Sequence, residues 1–229
     1  MPIFEIDLVR SDIVYPRMVL FQSIRDAFGP LAFEAGKELV IQPQQEVFRN
    51  LPNVPQIRFI FESFQRLSDG SQIGLQAGDS FMHGIDLGMT GDVYVHAFLE
   101  LRVGGGPRFV RRTSFQPYSA SARYDYIAQT EPVFSLGEVE LARAIANTAI
   151  HELGHQFDLE DLNRSGDTMN YMATECALRA WGLDARREQL RWIYSGQKSF
   201  NDVQQARIVQ TIRSGILPGR DVHMEARDR

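Results

Sequence analysis

Residues 135–157 read SLGEVELARAIANTAIHELGHQF, and this run constrains the fold more than any other stretch of the chain. Leu141, Ile145, Thr148 and Ala149 recur at three- and four-residue spacing, which places them on one stripe of a helix. A stripe of that kind has to be covered by other elements. Ser135 and Glu138 have the S-x-x-E form of a capping box, which predicts a helix starting there and continuing to about residue 157. Beyond Gln156 the chain turns polar through Asp158, Glu160, Asp161, Asn163, Arg164, Ser165, Gly166 and Asp167, so a loop follows.

The remaining sequence supplies the covering layers. Residues 3–9 alternate as a half-buried strand does, and 37–41 and 57–61 look like short strands. Residues 15–28 read as a helix stopped by Gly29-Pro30, and Val47, Phe48 and Leu51 recur at helical spacing. Glycines between 62 and 92 predict loops with one short strand near Ile73. Residues 92–103 form the longest strand-like stretch, ended by Gly104-Gly105-Gly106-Pro107. Arg108, Arg111 and Arg112 beyond it read as a solvated basic cluster. Two further helices are expected at 184–194 and 200–213. The fold class is therefore α/β (α+β), and 229 residues suit one domain with an appended subdomain.

Charge and apolar content narrow the function classes. With 24 basic and 29 acidic side chains the net charge is −5, which gives no general attraction to nucleic acid or to an anionic membrane surface. No apolar run approaches the ~18 residues of a membrane span, and Glu5, Asp7, Arg10 and Asp12 interrupt the opening residues where a secretory signal would be apolar. Cys176 is the single cysteine, so no intramolecular disulfide is possible; a cytoplasmic location is expected, and Cys176 itself reads as a small buried hydrophobe.

Within the predicted helix stands His151-Glu152-Leu153-Gly154-His155, an H-E-x-x-H motif. Residues four apart share one helix face, so the two imidazoles can converge on one ion at the ~2.0 to 2.1 Å of a zinc–nitrogen bond. Glu152 lies at the edge of that face, where a carboxylate can serve water on the ion as general base. A catalytic zinc takes three protein ligands, so a third is needed. Asp161 follows six residues after His155, and Glu175 follows at twenty. His83, His96 and His223 read as ordinary partly buried or surface histidines.

The stretch HELGHQFDLED resembles the metzincin consensus H-E-x-x-H-x-x-G-x-x-H, with Asp158 at the glycine position and Asp161 at the third histidine. Asp167-Thr168-Met169-Asn170-Tyr171 is similar to the Met-turn of that family. The resemblance implies a zinc metallopeptidase whose metal is held by His151, His155 and Asp161, with Glu152 as general base. It further implies that Met169 forms an apolar floor under the metal and that the Tyr171 hydroxyl approaches the metal or a developing oxyanion. A zincin-like architecture follows from it: residues 1–157 would form a subdomain with a twisted mixed sheet, a backing helix and the active-site helix, and 158–229 a smaller helical one. A peptide or protein substrate would pair with an edge strand, for which 92–103 is the candidate.

Three other readings stay open on the residues alone. A gluzincin-type peptidase would use Glu175 as third ligand. A zincin-fold protein could hold metal without cleaving, against which an intact Glu152 argues. Two histidines and a carboxylate also form a facial triad for Fe(II), but such a site gives Glu152 no role.

Overall fold

A computed structural model describes residues 2–6, 17–43, 54–60, 78–82, 89–94, 108–111, 123–128, 131–162, 167–174 and 183–218. Along these residues the chain forms β1 (Pro2–Ile6), α1 (Arg17–Glu34), β2 (Val40–Pro43), β3 (Gln56–Ile60), β4 (Gly78–Met82) and β5 (Met89–Tyr94). There follow β6 (Arg108–Arg111), β7 (Arg123–Ala128), β8 (Glu131–Gly137), α2 (Glu138–Gln156), α3 (Leu183–Ser195) and α4 (Asp202–Ser214).

Five strands form a mixed sheet in the order β2-β1-β3-β5-β4. The first four are parallel, and β4 runs antiparallel along β5 at the edge, with Asp79 opposite Asp92. Strands β6, β7 and β8 make a separate antiparallel sheet. Helix α2 packs against α1, the first sheet, β8 and α3, and so stands at the centre of the molecule's contacts. Its side chains Leu141, Ala144, Ile145, Ala149, Ile150 and Leu153 are buried together with Leu20, Ile24 and Phe28 of α1 and with Ile57 and Val93 of the sheet.

Four local expectations change. The first helix runs through Gly29-Pro30 instead of stopping there. Proline inside a helix removes one backbone hydrogen bond and costs roughly 3 kcal/mol. Here the apolar stripe Leu20, Ile24, Phe28 continues into Leu31 and Ala32, both buried, and extending the helix covers them. The stop comes at Gly36, whose φ of 72° lets Lys37 N–H reach the Ala32 carbonyl. At the other end, α2 begins after Gly137 and not at Ser135, because Ser135 is still paired with Asp125 in the β7–β8 ladder. Glu140 then accepts from the Gly137 backbone N–H at 2.9 Å and completes the entry to the helix.

The third change concerns residues 62–92, where β4 and the start of β5 are strands instead of loop. The fourth bears on substrate. Strand β5, described as far as Tyr94, lies between β3 and β4, so residues 92–94 are interior, and among the described residues the sheet edge on that side is β4. Ile73, residues 95–103, and the turn of Val47, Phe48 and Leu51 lie outside the described residues. Helices α3 and α4 match the expected 184–194 and 200–213 within two residues at each end.

Candidate metal centre

The geometry starts from the way α2 ends. Leu159 N–H bonds the Gly154 carbonyl at 3.1 Å and Asp158 N–H bonds the His155 carbonyl at 2.9 Å, the paired bonds of a Schellman turn. That turn requires a left-handed residue, and Asp158 takes it with φ 61°, the only described non-glycine residue with positive φ. Aspartate tolerates this region better than most side chains. Its carboxylate, largely buried, also pairs with Arg207 of α4. The chain therefore doubles back after Phe157 and carries Asp161 to the histidine face of α2.

Three donor atoms meet there. His151 Nε2 and His155 Nε2 are 3.1 Å apart, and Asp161 Oδ1 lies 3.2 Å from the first and 3.4 Å from the second. Among the described residues His151, His155 and Asp161 are the one group of three whose geometry could hold a metal ion. A tetrahedral centre with bonds of ~2.0 to 2.1 Å has edges between donors of about 3.3 to 3.4 Å, so the triangle fits such an ion.

Hydrogen bonding fixes which nitrogens point inward. His151 Nδ1 is 3.0 Å from the Tyr171 carbonyl and His155 Nδ1 is 2.8 Å from the Leu159 carbonyl. A carbonyl only accepts, so each Nδ1 carries a proton and each Nε2 is left facing the other and Asp161. The Asp161 Oδ1 between them is buried. Burial alone would raise the Asp161 carboxyl, but hydrogen bonding and charge from the two imidazoles outweigh it and hold the group well below the usual carboxylate range. An anion and two lone pairs facing one another repel unless a proton or a cation lies among them.

The supports of this triangle come from α4. Asn170, buried, donates to Gln204 Oε1 at 2.8 Å and accepts from the Met172 N–H at 2.8 Å. Gln204 belongs to the cap of α4, where it accepts from the Asn201 N–H and donates its own backbone N–H to Asn201 Oδ1. Ser199 bonds Met169 and Tyr171 through the backbone. The Tyr171 carbonyl is thereby held where His151 needs an acceptor.

The remaining expected site residues fall as follows. Glu152 is in α2 beside His151 and is 3% exposed. Met169 is 42% exposed, whereas Met172, three residues on, is buried, and its Sδ packs so closely on Gly154 that a β-carbon there would meet it at 2.4 Å. Gly154 is what admits that contact inside the motif. Tyr171 serves His151 through its backbone. Its ring packs on Phe200 with centroids 4.9 Å apart and lines a cavity shared with Asp26, to which none of the three donors contributes. Burial, and secondarily the charge of Asp26, pushes its hydroxyl up to about 12. Glu175, Cys176, His83, His96 and His223 lie outside the described residues.

Sequence reasoning missed Met172, the Leu159 and Tyr171 carbonyls, and the Asn170–Gln204 bond. Met172 stands three residues after Met169, and only burial separates the two. A backbone carbonyl leaves no mark in the residue type at all.

Comparison with protein-family models, with curated proteins and with solved structures gives no match to this chain in any of the three. No described helix is long and apolar enough to cross a membrane.

Proposed function

We propose that this chain is a zinc-dependent endopeptidase of the metzincin type, acting on peptide or protein substrates in a reducing, cytoplasmic setting. The reading is carried by one observation: two imidazoles with their outer nitrogens tied to carbonyls turn their inner nitrogens toward a buried carboxylate oxygen, at separations of 3.1 to 3.4 Å. A zincin-like architecture is supported by the mixed five-stranded sheet, by α1 and α2 packed together, and by the turn at Asp158 that separates α2 from the helical remainder.

His151, His155 and Asp161 would hold the ion. Zinc bound there supplies Lewis acidity, which acidifies water and polarises a carbonyl. Glu152 takes the proton as water attacks the scissile carbonyl and delivers it to the leaving nitrogen. The Leu159 and Tyr171 carbonyls keep both imidazoles in the ligating tautomer through the cycle. An extended substrate would lie along β4, the edge next to β5 among the described strands, with its backbone completing that ladder.

Elemental analysis of the purified chain, with a proteolysis assay run with and without chelator, tests this. The expected result is one zinc per chain and cleavage that stops on chelation. Glu152→Ala should keep the zinc and lose at least ~100-fold in kcat, the usual scale for removal of a general base. Near-normal turnover in that variant would remove Glu152 from the chemistry. A second reading, a protein that holds zinc without cleaving, is favoured by the burial of Glu152. One zinc per chain with no cleavage of any peptide would decide for it.

A further inference from the structure

Between α1, the first two turns of α2 and the loop after α3 lies a cavity of about 590 Å³ that the metal centre does not use. Its charged lining is Asp26 of α1, Arg143 of α2 and Lys198 of the loop, with Tyr171 as one wall. Arg143 spends one N–H on the Ser195 carbonyl at 3.4 Å, and its fork leaves further donors. Lys198 is partly buried, and the charge of Asp167 in the adjoining turn favours its ammonium. Its position is fixed, since the next residue, Ser199, is bonded to Met169 and Tyr171 through the backbone.

Two cations against one carboxylate leave the cavity lining with a net positive charge, which favours an anion. We propose that this cavity binds a single carboxylate, with Lys198 and Arg143 as the groups that receive it. The reading is independent of the metal centre. Asp26, which also lines the cavity, disfavours a second negative charge, so a monoanion fits better than a phosphate. The apolar wall of Val19, Val139 and the Tyr171 ring suits the carbon chain that bears the carboxylate. Such a group comes either at the end of a peptide or on a free organic acid.

Proton linkage supports the proposal. Burial, opposed by the charge of Asp167, holds the Lys198 ammonium down to about 7. A carboxylate beside it favours the charged form, so binding takes up a proton. The charges facing Lys198 are Arg143 and Asp26 across the cavity and Asp167 in the adjoining turn, while Tyr171, pushed up to about 12, stays neutral near pH 7.

The test is calorimetric titration of the full chain with N-acetylglycine, benzoate, N-acetylglycinamide and inorganic phosphate. Expected are binding of at least one of the two acids, Kd rising by up to about tenfold per pH unit above 7, and at least tenfold weaker binding to Lys198→Gln. Lys198→Arg, which stays charged, should bind with the pH dependence removed; this separates lost charge from lost fold. Tighter binding of N-acetylglycine supports a peptide terminus, and tighter binding of benzoate supports a free acid. The proposal is overturned if neither acid binds, if the amide binds as tightly as the acid, if phosphate binds tightest, or if Lys198→Gln binds as the unaltered chain does.

Discussion

At the residue scale, Tyr171 is where the motif and the structure part. Met-x-Tyr by resemblance assigns chemistry to a hydroxyl, but what reaches the centre is the carbonyl of the same residue, 3.0 Å from His151 Nδ1. Tyr171→Phe keeps that carbonyl and the stack on Phe200, so zinc content and kcat should stay within about twofold of the unaltered chain. A fall of ten-fold or more at full zinc content would return the hydroxyl to the reaction. The convergence of His151 and His155 was legible because the i and i+4 spacing of a helix converts directly into a shared face. Asp161 was legible only through resemblance, since its place depends on a turn and not on a period. Which methionine of the turn is buried was not legible, since no local pattern encodes burial: Met169 is 42% exposed and Met172 is buried.

At the scale of elements, the turn that ends α2 is the hinge of the argument. Asp158 holds φ 61° and pairs with Arg207, so its side chain offsets with an ion pair part of what its backbone costs. Asp158→Gly should lose the pair but relieve the backbone, whereas Asp158→Ala loses the pair and keeps a β-carbon in the left-handed region, a conformation costing roughly 1 to 2 kcal/mol. Urea unfolding should therefore rank the alanine variant about 1 kcal/mol below the glycine variant. Equal midpoints would mean that the turn stores no strain. Element types were readable from periodicity for α2, α3 and α4, whereas the C-terminal end of α1 and the start of α2 were not. Tertiary burial carried α1 past a proline, and ladder pairing held Ser135 in β8 beyond an apparent cap. The edge position of β4 depends on strand order, which pairs residues far apart in sequence and leaves no local trace.

At the scale of the whole molecule, the metal centre joins parts that are otherwise distant. Helix α2 brings the histidines, the returning chain brings Asp161, and α4 holds the 167–173 segment through Asn170 and Gln204. A ligand that binds only when these parts are assembled stabilises the fold by about 2.7 kcal/mol at a hundred times its Kd. Added zinc should accordingly raise Tm by several degrees, and Asp161→Ala should abolish most of the shift while Glu152→Ala preserves it. A shift of equal size in Asp161→Ala would place the binding elsewhere.

Zinc-edge anomalous diffraction from crystals grown with one equivalent of zinc reads the central claim directly. A single peak about 2.0 to 2.2 Å from His151 Nε2, His155 Nε2 and Asp161 Oδ1 is the result expected. A peak bound by the two histidines and Glu175, with the Asp161 carboxylate turned to solvent, would contradict it.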